Sequence, residues 1–161
     1  SKEFSLPPLE RSQFDSAIEK CETAIREMHR PIIKSETASK AQIFYQTPRT
    51  QIPFDHPLNR STFEYMSETT RDESIVETQG LISSYNINTY KGRIFIPDEQ
   101  RPIPFELAED ARTQSAIKKI TDSLSMNAVD RFNDQATVTF LTCRNRSRTG
   151  RLKSLFVVEV L

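Results

Sequence analysis

Between Ile75 and Leu161 the hydrophobic period changes twice, from alternation to a helical repeat and back, and this switch limits the folds open to the chain. Ile75 to Ile87 is rich in β-branched and aromatic residues, and Arg93 to Ile96 follows a turn at Gly92, so the pair predicts a hairpin. Beyond a second turn at Asp98 to Arg101, Ile103, Phe105 and Leu107 alternate with Pro102, Pro104 and Glu106. The two prolines remove two successive backbone donors from one side, which predicts an edge strand with Ile103, Phe105 and Leu107 turned inward. Ala108 to Phe132 then reads as a helix, with Thr113 as its cap and Ile117, Ile120, Leu124 and Ala128 along one face. Ala136, Val138 and Phe140 restore the alternation, and after a turn at Gly150 the stretch Leu152 to Leu161 is a second strand, too apolar to be solvated on both faces.

Three strands, one helix and two strands is the connectivity of the OB-fold, a small Greek-key barrel. The expected fold class is therefore α+β: a five-stranded OB-like β-barrel (β-β-β-α-β-β) over residues 72–161, with a different small barrel or a three-layer α+β sheet as the alternatives, preceded by a helical segment over 1–43 and an extended Pro-rich connector over 44–71. In the N-terminal segment Phe14, Ile18, Cys21, Ile25, Met28 and Ile32 recur at spacings of four and three, one apolar stripe on a helix that Ser12 would cap. Pro31 predicts a stop near His29 and a restart through Ile32 to about Ala41. The connector holds Pro48, Pro53 and Pro57, and its aromatics Phe44, Tyr45, Phe54, Phe63 and Tyr65 predict that it lies against the folded body, with a strand near Thr62 to Met66. A chain that opens Ser1-Lys2-Glu3 and stops at Leu161 inside a strand pattern reads as a piece of a longer protein.

Gly92-Arg93-Ile94-Phe95-Ile96-Pro97, Pro104-Phe105-Glu106-Leu107 and Arg144 to Val160 resemble the C-terminal domain of an uncharacterised family of bacterial and phage-associated proteins, over about residues 75 to 160. The resemblance implies a small barrel-like tail domain on a larger protein, and brings no activity or site residue with it.

Twenty-two basic and twenty-two acidic residues cancel, so no whole-chain electrostatic argument for nucleic acid or membrane exists and any such case is local. One segment supplies it. Arg144, Arg146, Arg148, Arg151 and Lys153 fall in the last predicted hairpin with no acid from 144 to 153, interleaved with Asn145, Ser147 and Thr149. Guanidinium forks beside hydroxyl and amide donors suit phosphate oxygens. Residues 72–161 carry equal numbers of acids and bases, so the rest of this half is acidic and the domain is polarised. Around the first predicted turn, Tyr90, Lys91 and Arg93 offer an aromatic surface beside cations. The expectation is a non-catalytic binding module that contacts nucleic acid or another polyanion. The alternative is a protein interaction or assembly domain, with the Phe14 to Ile32 helix face as the contact.

Other classes find little support. His29 and His56 have no sequence neighbour suggesting a nucleophile or a ligand pair, and no GxGxxG, P-loop or HExxH pattern occurs. Cys21 and Cys143 lie 122 residues apart without CxxC spacing, which predicts reduced, buried thiols rather than a disulfide or zinc site. No cofactor is expected. The longest apolar run, Leu155 to Val158, is far short of a membrane span, and the N-terminus lacks a signal pattern, so a cytoplasmic location is the default.

Overall fold

The computed structural model describes residues 8–161; residues 1–7 of the N-terminal segment lie outside the described residues. Two compact units divide between Glu68 and Thr69.

In the first unit, α1 (Arg11–Met28) is capped by Glu10 rather than by Ser12. Glu10 and Gln13 form a reciprocal box, with the Glu10 N–H donating to Gln13 Oε1 at 3.1 Å, so the helix starts two residues earlier than the hydroxyl suggested. The chain stops and restarts as Pro31 predicts: His29 separates α1 from the one-turn α2 (Arg30–Ile33), in whose first turn the proline has no donor to lose. The restart ends at Ile33, short of Ala41. A small ribbon follows, β1 (Phe44–Gln46) against β2 (Gln51–Pro53), and then α3 (Arg60–Ser67).

The strand expected at Thr62 to Met66 is therefore a helix. Asn59 accounts for it, because its Oδ1 accepts the Thr62 N–H at 3.0 Å while its own N–H donates to Thr62 Oγ1 at 2.8 Å. That reciprocal cap outweighs the β preference of Phe63 and Tyr65. Of the connector aromatics, Phe44, Tyr45, Phe54 and Tyr65 are exposed, contrary to the expectation that they pack down, while Phe63 is half-buried with its ring 5.6 Å from that of His29. What closes this unit is His29, fully buried, with Nδ1 donating to the Ile25 carbonyl at 2.7 Å and Nε2 2.9 Å from Thr62 Oγ1.

The second unit comprises β3 (Thr69–Asn86), β4 (Lys91–Ile96), β5 (Arg101–Leu107), α4 (Gln114–Val129), β6 (Thr137–Ser147) and β7 (Leu152–Val160). The strands close into a barrel in the order β3-β4-β5-β7-β6, with β6 returning to β3. All pairs are antiparallel except β5 with β7. This is the five-stranded OB-like α+β architecture with a preceding helical segment. Ile82, Ile94, Ile103, Phe105, Leu107, Phe140, Leu155 and Val157 fill it, each supplied by the inward period of its strand.

Two glycines allow the strands to press together: a Cβ on Gly80 would meet the Phe95 carbonyl at 2.3 Å, and one on Gly92 would meet the Ser84 carbonyl at 2.3 Å and the Phe105 ring. The edge assignment for β5 needs correction. Ile103, Phe105 and Leu107 do point inward, but β5 is flanked on both sides, by β4 along its length and by β7 from Phe105 to Leu107. The Leu107 N–H donates to Tyr90 in front of β4, while the Ala108 N–H donates to Val157 of β7. Alternation then turns the donorless sides of Pro102 and Pro104 towards β7, ahead of the point where β7 begins to pair. The prolines mark a half-open seam.

Helix α4 plugs one barrel end by apolar and polar contacts together. Ala116 and Ile120 are buried as an apolar face, Leu124 is partly so, and Ala128 is exposed. Ser123 Oγ accepts the Ile82 N–H at 3.1 Å and donates to the Ala136 carbonyl, and Asn127 Nδ2 donates to the Ile82 carbonyl at 2.9 Å. These bonds satisfy the backbone where β3 bulges between Ile82 and Ser84.

Candidate anion-binding hairpin

Five of the predicted site residues lie on the β6–β7 hairpin. The turn is built by its small polar residues: Gly150 donates to the Ser147 carbonyl at 2.8 Å, Ser147 donates back to the Arg151 carbonyl at 2.9 Å, and Ser147 Oγ accepts the Arg151 N–H at 3.1 Å. Gly150 sits at φ 84°, in the left-handed region that a residue without Cβ enters freely.

The cations do not share one environment. Arg148 is exposed at the tip, and Lys153 is half-buried at the root. Arg146 is held on both sides, with Nε donating to Asp72 Oδ2 at 3.0 Å and Nη1 to the Gly150 carbonyl at 3.0 Å. Arg151 is only 8% exposed. Arg144 pairs across from the buried Leu155, on the inward period set by Val138, Phe140 and Thr142, and its buried Nε finds no hydrogen-bond partner among the described residues.

Two further arginines reach this end without having been singled out in the sequence. Arg101, 2% exposed, continues the inward period of Ile103, Phe105 and Leu107; its Nη2 donates to the Leu152 carbonyl at 2.7 Å and lies 3.9 Å from Glu99. Arg71 lies on the outer surface, with Nε donating to Asn145 Oδ1 at 3.0 Å and its Cζ 3.9 Å above the Phe156 ring. Asn145 is in turn fixed by Ser154 at 2.9 Å. The period-two count along β5 could have found Arg101. Arg71 depends on a 74-residue separation that no local pattern carries.

Tyr90, Lys91 and Arg93 lie elsewhere. Thr69 pairs with Ser147 at one end of the 18-residue β3, and Asn86 pairs with Lys91 at the other, so the structure separates these three from the hairpin. Lys91 pairs with Glu106 at 3.2 Å, and Arg93 Nη2 donates to the Pro102 carbonyl at 3.1 Å. Tyr90, at φ 55°, packs on the core beneath the Arg112 guanidinium, 4.7 Å away, and is no open stacking surface. Its neighbour Tyr85 stacks on Phe105 with a buried hydroxyl that has no hydrogen-bond partner among the described residues. Burial, and then the charge Tyr90 would carry, push the Tyr85 phenol above its ordinary value; Arg112 opposes them.

Among the described residues no helix is long and apolar enough to cross a membrane. No curated protein and no solved structure matches the chain. Residues 74–161, which hold all of the barrel except the first five residues of β3, match the model of a family of unknown function (DUF7947), and the chain belongs to that family.

Proposed function

We propose that this protein is a non-catalytic binding module whose β6–β7 hairpin contacts nucleic acid or another phosphate-bearing polymer. The observation that supports it is the gathering of Arg144, Arg146, Arg148, Arg151 and Lys153 on one hairpin, with Arg71 across the β3–β6 ladder, at one end of an otherwise acidic barrel. Unequal exposure gives the cations different parts. Arg148 and Lys153 would neutralise phosphates, while Arg146 and Arg151 hold the turn that presents them. Cys21 is exposed and Cys143 half-buried, where buried thiols were expected; as free thiols they suit a reducing, cytoplasmic setting.

The test is fluorescence anisotropy with short single-stranded and duplex oligonucleotides at low and moderate salt. Binding to all sequences alike, weakened by salt and by Arg148→Ala with Lys153→Ala, supports this reading.

A second reading, contact with another protein through α1, draws on a different observation. Phe14, Ala17, Cys21, Ala24 and Met28 are apolar or weakly polar, all exposed, and spaced three and four apart.

A further inference from the structure

The stripe read from Phe14 to Ile32 is two stripes in the folded unit. Ile18 and Ile25 are half-buried and Ile32 is buried, so this edge packs within its own unit beside the buried Asp15 and His29. The other edge faces outward: Phe14 is 55% exposed and Met28 50%, with Ala17, Cys21 and Ala24 exposed between them. A helix that presents apolar residues on a three-four repeat matches the geometry by which helices pack on one another.

We propose that this face is a homodimer seam, in which α1 packs antiparallel against α1 of a second copy with the crossing at Ala24. This rests on the second reading above and names its partner. Two features favour an identical helix. Ala17 and Ala24, seven residues apart, leave shallow holes between the bulkier Phe14, Cys21 and Met28, so that the knobs of one copy find room on the other. Lys20 and Glu27, also seven apart, are exposed on one flank of the stripe; Lys20 makes no ion pair among the described residues, and the contact Glu27 makes with Arg30 at 3.3 Å is itself solvent-exposed and so weak enough to exchange. A two-fold axis perpendicular to the helices near Ala24 brings Lys20 of each copy against Glu27 of the other, so the charge pattern is self-complementary. A parallel pair would set this flank against the side of α1 that is already packed within its own unit.

The experiment is sedimentation of the chain from about 5 to about 200 μM, where a self-associating species shifts with concentration by mass action. The expected result is a dimer at the upper end. Ala24→Glu is expected to yield a monomer with unchanged circular dichroism, since the site is exposed. Lys20→Glu is expected to weaken association about tenfold or more, and Lys20→Glu with Glu27→Lys to restore it, a rescue that a merely structural role would not produce. In a Cys21→Ser, Cys143→Ser background, Ala24→Cys is expected to form a disulfide-linked dimer on mild oxidation. A monomer across the range, or an Ala24→Cys chain that does not cross-link, overturns the homodimer. Fluorescence of an apolar dye then separates the two claims. Dye binding lost on Phe14→Ser with Met28→Ser leaves an open face for a different protein, and no dye binding by the parent chain sinks the second reading too.

Discussion

Arg146 Nε donates to Asp72 Oδ2 at 3.0 Å, joining the base of the basic hairpin to the irregular stretch of β3 between Arg71 and Ile75. Both side chains are about a third exposed, so water screens the pair and its stabilisation is modest. A double-mutant cycle with Arg146→Ala and Asp72→Ala is expected to give a coupling of about 0.5–1 kcal/mol in urea melts. Coupling near zero would mean that the hairpin is not tied to β3 through this contact.

Arg151 is expected to behave as a structural residue. Its side chain is nearly buried and its backbone closes the turn with Ser147. Arg151→Ala should therefore lower stability by about 1–3 kcal/mol, against less than about 0.5 kcal/mol for the exposed Arg148→Ala, measured by thermal melts. Equal effects would contradict the division between holding and presenting cations.

The placement of hairpin cations shows where the sequence was readable and where it was not. Val138, Phe140 and Thr142 alternate into the barrel, and the same count carries Arg144 inward, ahead of the register shift between Asn145 and Arg146, a signal masked when five basic residues in a row of ten are taken together. The inward Ile103, Phe105 and Leu107 were legible because alternation is local. The partner of β5 was not, since β7 lies about fifty residues on and pairs in parallel. Asn59 and its reciprocal cap were local and readable, yet the β-branched and aromatic run after them suggested a strand. Ser123 and Asn127 on α4 carry no signal in the apolar period, because they are polar residues whose role is to bond a bulged strand.

Ser123→Ala should be costlier than its size suggests. It strips a partner from the Ile82 N–H and the Ala136 carbonyl, both within the buried helix–barrel contact. The expected loss is about 1–3 kcal/mol in denaturant melts. Ala128→Ser, on the exposed side of the same helix, is expected to stay within about 0.5 kcal/mol.

Tyr85 gives the fold a basic limit. Its pKa lies above the ordinary 10.0, chiefly from burial, so the folded state favours the neutral phenol. The sign follows: the contribution is fully present below pH 10.0 and is lost as pH rises through the higher folded value. Tyr85→Phe is expected to flatten the fall in melting temperature on the alkaline side and to leave neutral stability unchanged or raised, since the lost hydroxyl had no partner. An unchanged alkaline profile would exclude Tyr85 as the titrating group.

The central claim, polyanion binding through the hairpin, is tested most directly by the salt dependence of oligonucleotide anisotropy for the parent chain and for Arg148→Ala with Lys153→Ala. The two presenting cations, Arg148 and Lys153, would give a slope of about 1.4 in log affinity per decade of salt on a single strand, at about 0.7 per contact. Removing two contacts is expected to flatten the slope by about 1.4 and weaken binding to every sequence alike, with the melting temperature nearly unchanged. Absent binding at low salt, or binding indifferent to the double substitution, would contradict the account and leave these cations as a solvated turn.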